Sequence, residues 1–184
     1  MPDLGTALGD RAGRTWCPHL AMLLGSPDEV HAALAAFYSL GASRNGWLFH
    51  RSLPGQGATD RAGLAGAGLD VTGLEAQARL SLDELPIDRP PESWAEPLLP
   101  MIDEHLARGF DAVWWSRFPL GAVGAGFELA LRYDRAWDAA LRGRRAVSLC
   151  LYIVEQPEAA GALAEVHDGL LRPAGDGFTL TRTR

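Results

Sequence analysis

The stretch Ala146 to Val154 (AVSLCLYIV) is apolar almost throughout. A strand on the surface of an antiparallel sheet alternates apolar and polar residues; an unbroken apolar run belongs to a strand covered on both faces, the usual situation in a parallel sheet with helices on either side. Other short runs fit the same sheet: Cys17 to Leu24, Gly46 to His50, Arg79 to Leu82, Asp111 to Phe118, and Phe178 to Thr183 as a closing edge strand. Helical patterns separate them, so strand and helix alternate along the chain. That alternation predicts an α/β fold, a three-layer sandwich with a mostly parallel central sheet. The 184 residues suit one domain over 17–184, preceded by a loose Gly- and charge-rich arm over 1–16.

The helix after the first strand has the clearest signals. Ser26-Pro27-Asp28-Glu29 offers a capping serine, a proline in the first turn and a glutamate placed to close a capping box. Val30, Leu34, Phe37 and Leu40 form one apolar stripe, and Gly41 marks the expected stop. Further helices are expected around Asp60 to Gly68, Trp94 to Arg108, Gly121 to Leu141 and Glu158 to Leu170, with a turn at Leu69 to Leu74 and a proline-rich connector at Pro86 to Pro91.

All 17 basic residues are arginine. Without lysine there is no Schiff-base chemistry and no phosphate-binding loop of the Gly-x4-Gly-Lys-Ser/Thr type, which needs lysine on the phosphates. Gly55-Gln56-Gly57 follows a strand, but Asp60 stands where a dinucleotide-binding loop needs its third glycine, and it would repel a pyrophosphate. The net charge is −6 with the arginines dispersed among acids, so the chain lacks the cationic face that nucleic acid requires. No apolar run has the length of a membrane span and no signal-peptide pattern opens the chain. Two widely separated cysteines, Cys17 and Cys150, suit a reduced, cytoplasmic protein. No cofactor is expected, and since no His-x3-His pair occurs, no metal site either; a zinc site would need ligands from separate elements.

Ligands of open α/β sheets settle outside the carboxyl ends of the strands. This rule selects Gly25 and Ser26, His50 and Arg51, Ser116 and Arg117, and Tyr152 with Glu155. Trp114 and Trp115 point to opposite faces of their strand, so one belongs to the core and the other is placed to wall a pocket. Cys150 within its strand and His167 at the end of the next helix make a Cys–His pair conceivable, although a mid-strand cysteine in an apolar run is ordinarily inert packing. Glu128, Arg132 and Asp134 on the long helix read as a solvated, ion-paired surface.

Taken in order, several of these pieces resemble the MEDS family, the sensory domain named after methanogens, methylotrophs and a dichloromethane-responsive regulator. The resembling residues are His19-Leu20 entering a strand before the Ser26 to Glu29 helix start, the Phe37 to Trp47 passage, and the Gly68-Leu69-Asp70-Val71 turn. They continue with Arg132-Tyr133-Asp134, Leu149-Cys150-Leu151-Tyr152 and His167. The likeness spans about residues 17–175. It differs at Asp134 (glutamate in the family), at Ile153 (aspartate) and at Asp168 (proline). The resemblance implies a RecA- or KaiC-like core without its phosphate loop, and the sensing of small, hydrocarbon-derived ligands.

The expectation is therefore a non-catalytic domain that binds a small organic ligand and signals to a separate protein partner, a regulator or kinase. His50, Arg51, Trp115, Arg117, Cys150, Tyr152 and His167 would form the ligand site. Two alternatives stand beside it: a protein-interaction module, including a homodimer, and an enzyme using Cys150 and His167.

Overall fold

The computed structural model describes residues 4–8, 18–84, 90, 93, 96–117, 125–153, 158–174 and 177–183. Seven strands form one sheet in the order β3-β2-β4-β5-β1-β6-β7. They are β1 (His19–Leu24), β2 (Gly46–Ser52), β3 (Leu80–Glu84), β4 (Ala112–Arg117), β5 (Ala146–Ile153), β6 (Gly169–Ala174) and β7 (Gly177–Arg182). All neighbours pair in parallel except β6 and β7, which form an antiparallel hairpin at one edge. The helices are α1 (Leu4–Leu8), α2 (Val30–Ser43), α3 (Gly57–Gly66), α4 (Val71–Ala76), α5 (Leu99–Ala107), α6 (Ala125–Leu141) and α7 (Glu158–Val166).

The connectivity explains the layers. The steps β1 to β2 to β3 run one way along the sheet, and the steps from β3 through β4 and β5 to β6 run the other way. Since crossovers are right-handed, opposite directions put their helices on opposite faces. Accordingly one core joins α2, α3 and α4 to Leu20, Met22, Leu48, Trp114, Leu149 and Leu151. The other joins α5, α6 and α7 to Ala21, Trp47, Val113, Trp115, Cys150 and Tyr152. The inner strands, β6 among them, thus feed both layers with alternate residues, which is why β5 reads as continuously apolar, while the edge strands β3 and β7 feed only the first core. Three layers with a mostly parallel sheet are what the alternation predicted.

Several boundaries differ from the expectation, each for a local reason. Helix α2 passes through Gly41 to Ser43, and the left-handed residue that follows is Asn45, φ 52°. Gly41 is needed for a close approach: a Cβ there would lie 2.6 Å from Trp114 Cγ. The carboxylate of Glu29 accepts from the backbone N–H of Gly25 at 2.8 Å and of Ser26 at 3.4 Å, holding the entry to α2. Val71–Ala76 forms a short helix rather than a turn, with Asp70 accepting from Gly73 N–H at 3.0 Å as its cap. Helix α7 stops at Val166, and the residues after His167 form the additional strand β6. Within the stretch expected to be a loose arm, α1 buries Leu4 and Leu8 against the first core. Cys17, Trp94, most of Pro86 to Pro91 and Gly121 to Gly124 lie outside the described residues. No helix among the described residues is long and apolar enough to cross a membrane.

Candidate functional site

Two groups of polar residues are buried between the layers, one on each face of the sheet. The larger lies under α6 and centres on Asp134, whose carboxylate is 0% exposed. Arg117 at the end of β4 donates to Asp134 Oδ1 at 2.6 Å, the Cys150 thiol donates to the same oxygen at 3.2 Å, and the Tyr152 hydroxyl donates to Oδ2. His167 Nε2 lies 3.5 Å from Oδ2. His19, the first residue of β1, places Nε2 at 3.3 Å from Cys150 Sγ, and its ring lies against that of His167 with centroids 4.2 Å apart.

Local structure places each of these side chains. His19 and Cys150 both point to the α6 face because β1 and β5 pair in the register His19↔Ser148 and Ala21↔Cys150. Arg117 is the register partner of Cys150 on β4, so strand pairing sets the guanidinium beside the thiol. Asp134 lies four residues after Ala130 and three before Trp137, both fully buried, and so occupies the inner stripe of α6. His167 follows α7 directly, where its Nδ1 donates to Leu163 O at 2.9 Å and fixes the ring.

Burial tends to raise the Asp134 carboxyl, but the Arg117 charge outweighs it and holds the group below the ordinary carboxylate value. Burial, and then the Asp134 charge, push the Cys150 thiol well above its ordinary value. Burial, and then His19, bring the His167 imidazole down to about 3. The group is therefore one ion pair, Arg117 and Asp134, surrounded by a neutral thiol, a phenol and a neutral imidazole.

The donor types suit a transition-metal ion. His19, Asp134, Cys150 and His167 each offer one ligand atom, and the four atoms lie within 4.8 Å of one another. Four separate elements supply them, so no spacing rule in the sequence reveals the group. A cleft of about 250 Å³ reaches His19 from outside, lined by Pro18, Asp138, Leu141, Arg142, Ser148 and Asp168 among others. It opens at the starts of β1 and β5, the amino edge of the sheet, opposite to the edge that strand polarity alone selects.

The second group is on the α2 face. Asp60 of α3 lies 3.3 Å from both His50 Nε2 and His31 Nε2, and His50 Nδ1 lies 3.1 Å from the Tyr38 hydroxyl. Of the seven expected site residues, Arg117, Cys150, Tyr152 and His167 come together around Asp134. His50 belongs to the group on the other face. Arg51 sits towards the β2–β3 edge, donating to Asp83 at 3.3 Å with its guanidinium 5.6 Å from the Phe49 ring centre. Trp115 is fully buried and packs on Trp137 with centroids 4.2 Å apart. Sequence reasoning missed Asp134 and His19. For Asp134 the signal was its spacing from Ala130 and Trp137; for His19 it was the apolar run that the residue opens.

No family model matches the chain, and no curated protein matches it.

Proposed function

We propose that the chain is a non-catalytic sensory domain, that the cluster around Asp134 is its receptor centre, and that it reports a small molecule to a separate protein partner. One observation carries this reading. Residues through which the sequence resembles the MEDS sensory domains, namely His19, Cys150, Tyr152 and His167, are far apart in the chain and meet around one buried carboxylate, that of Asp134. An ion pair with four further polar groups is an expensive way to fill a core, because apolar residues of similar volume serve stability as well or better. Its presence favours a functional role.

The chemistry of the thiol favours binding over catalysis. A cysteine nucleophile attacks as thiolate and needs a lowered pKa, whereas burial and the Asp134 carboxylate keep Cys150 protonated.

The test is thermal unfolding of the purified chain against a panel of short alcohols, aldehydes and haloalkanes. A ligand present at 100 times its Kd adds about 2.7 kcal/mol, which raises Tm by about 5–10 °C in a domain of this size. A dose-dependent rise that Tyr152→Phe reduces supports the reading. A folded wild-type protein whose Tm moves with none of the panel sinks it.

A further inference from the structure

We infer that His19, Asp134, Cys150 and His167 form a four-coordinate site for a divalent transition-metal ion of the zinc type. The inference deepens the sensory reading by giving the receptor centre a metal, and it rests on the same cluster, although metal content can be measured without any organic ligand.

The first argument is the set of distances. Metal–ligand bonds of about 2.0–2.3 Å in a tetrahedron set neighbouring ligand atoms about 3.3–3.8 Å apart. Whichever carboxylate oxygen serves as the ligand atom, two edges are already close to that: His19 Nε2 to Cys150 Sγ is 3.3 Å, and Asp134 lies 3.2 Å from Cys150 Sγ through Oδ1 or 3.5 Å from His167 Nε2 through Oδ2, with all four ligand atoms within 4.8 Å of one another. Two imidazoles, a thiolate and a carboxylate form a borderline-soft donor set that suits zinc and disfavours magnesium or calcium.

The second argument is an unmatched atom. His167 uses Nδ1 as donor to Leu163 O, so Nε2 presents a lone pair. That nitrogen is fully buried, has no hydrogen-bond partner, and faces the Asp134 carboxylate, which is itself an acceptor. Two acceptors facing each other across 3.5 Å are mutually repulsive until a cation lies between them.

The third argument is the outer support. Histidines that bind metals ordinarily donate their other ring nitrogen to a carbonyl or carboxylate, and ligating carboxylates are themselves hydrogen-bonded. His167 has this support, with Leu163 O at 2.9 Å on its other nitrogen; His19 Nδ1 lies 3.7 Å from Asp138 Oδ1, beyond hydrogen-bond reach. Arg117 and Tyr152 hold Asp134 in place. The cleft at the amino edge of the sheet reaches one of the four residues, His19. On binding, Cys150 exchanges its proton for the metal–sulfur bond and the proton leaves to solvent, with no change of oxidation state.

The experiment is a cobalt(II) titration of the full chain followed by absorption spectroscopy. Expected are a thiolate-to-cobalt charge-transfer band and strong tetrahedral d–d bands that saturate at one equivalent, disappear on addition of zinc, and persist in Cys17→Ser. Cys150→Ser should remove the charge-transfer band, and His167→Gln should weaken binding at least tenfold. Because the wild-type titration does not depend on the folding of any variant, its failure is decisive. Folded wild-type protein that shows no band at one equivalent, and whose Tm is unchanged by zinc, overturns the site. So does a band that is lost in Cys17→Ser and retained in Cys150→Ser. Thermal shifts with organics in a chain that binds no cobalt would leave the sensory reading standing and remove the metal alone.

Discussion

Arg117 and Asp134 meet at 2.6 Å between β4 and α6, with the guanidinium 2% and the carboxylate 0% exposed. Such a pair is costly to break from one side, because the surviving charge is left buried and uncompensated. Arg117→Met alone should lower stability by about 3–5 kcal/mol in a denaturant titration. The double variant Arg117→Met/Asp134→Leu, which removes both charges, should lose less than that single variant. Equal or greater loss in the double variant would show that the pair itself is stabilising.

Cys150 should resist alkylation in the native chain. Its side chain is fully buried and its thiol is held protonated. Peptide mapping after brief iodoacetamide treatment should find the Cys150 peptide unmodified at neutral pH and fully modified in denaturant. Fast native labelling would revive the Cys–His enzyme reading.

Acid should act on the α2-face group through Asp60. Burial raises its carboxyl, but the hydrogen bond from His50, the electrostatic effect of His50 and the hydrogen bond from His31 outweigh that, so the folded state binds this proton more weakly than the unfolded chain. A lowered carboxyl contributes stability that is complete above the unfolded value of about 3.9 and is lost as pH falls through the folded value. Asp60→Asn should therefore show a flatter stability profile than wild type below about pH 5. Parallel profiles would contradict the assignment.

Two helical glycines should respond oppositely to alanine. Helix propensity alone favours alanine by about 0.8–1 kcal/mol. At Gly161 of α7 nothing lies within 4 Å of the point an alanine methyl would occupy, so Gly161→Ala should stabilise. At Gly41 the methyl would meet Trp114 Cγ at 2.6 Å and Leu48 Cδ2 at 2.8 Å, so Gly41→Ala should destabilise by about 1–3 kcal/mol despite its propensity. Thermal unfolding of the two variants side by side checks both signs.

The layered architecture was legible in the sequence because it follows from burial on both faces, which β5 displays in its own residues. The β6 strand was not. Gly169 to Ala174 is short, contains Pro173, and follows an alanine-rich helix whose pattern continues into Leu170. Its strand character comes from pairing with β1 and β7 rather than from local preference. The site was half legible. Strand-end reasoning selected Arg117 and Tyr152, and Cys150 and His167 were paired as a conceivable dyad; the fold brings all four around Asp134. Asp134 was hidden because an acid flanked by Arg132 and Arg135 on a helix looks solvated, and only its phase relative to Ala130 and Trp137 turns it inward. Which edge of the sheet offers entry depends on how β1 and β5 begin relative to α6, a tertiary property that no local pattern records.

The position of β1 between β5 and β6 has a consequence for biosynthesis. His19 leaves the ribosome 131 residues before its neighbour Cys150. At about 5–20 residues per second, the first strand waits on the order of 10 s with both edges unpaired before its partners exist. The sheet cannot close in the order in which it is made. Folding is then governed by contacts distant in sequence, which are slow to form, and every nascent chain passes through an interval in which chaperone capture competes with self-association. A fragment that ends before β5 contains four of the seven strands, with His19, Arg117 and Asp134 of the centre but not Cys150, Tyr152 or His167.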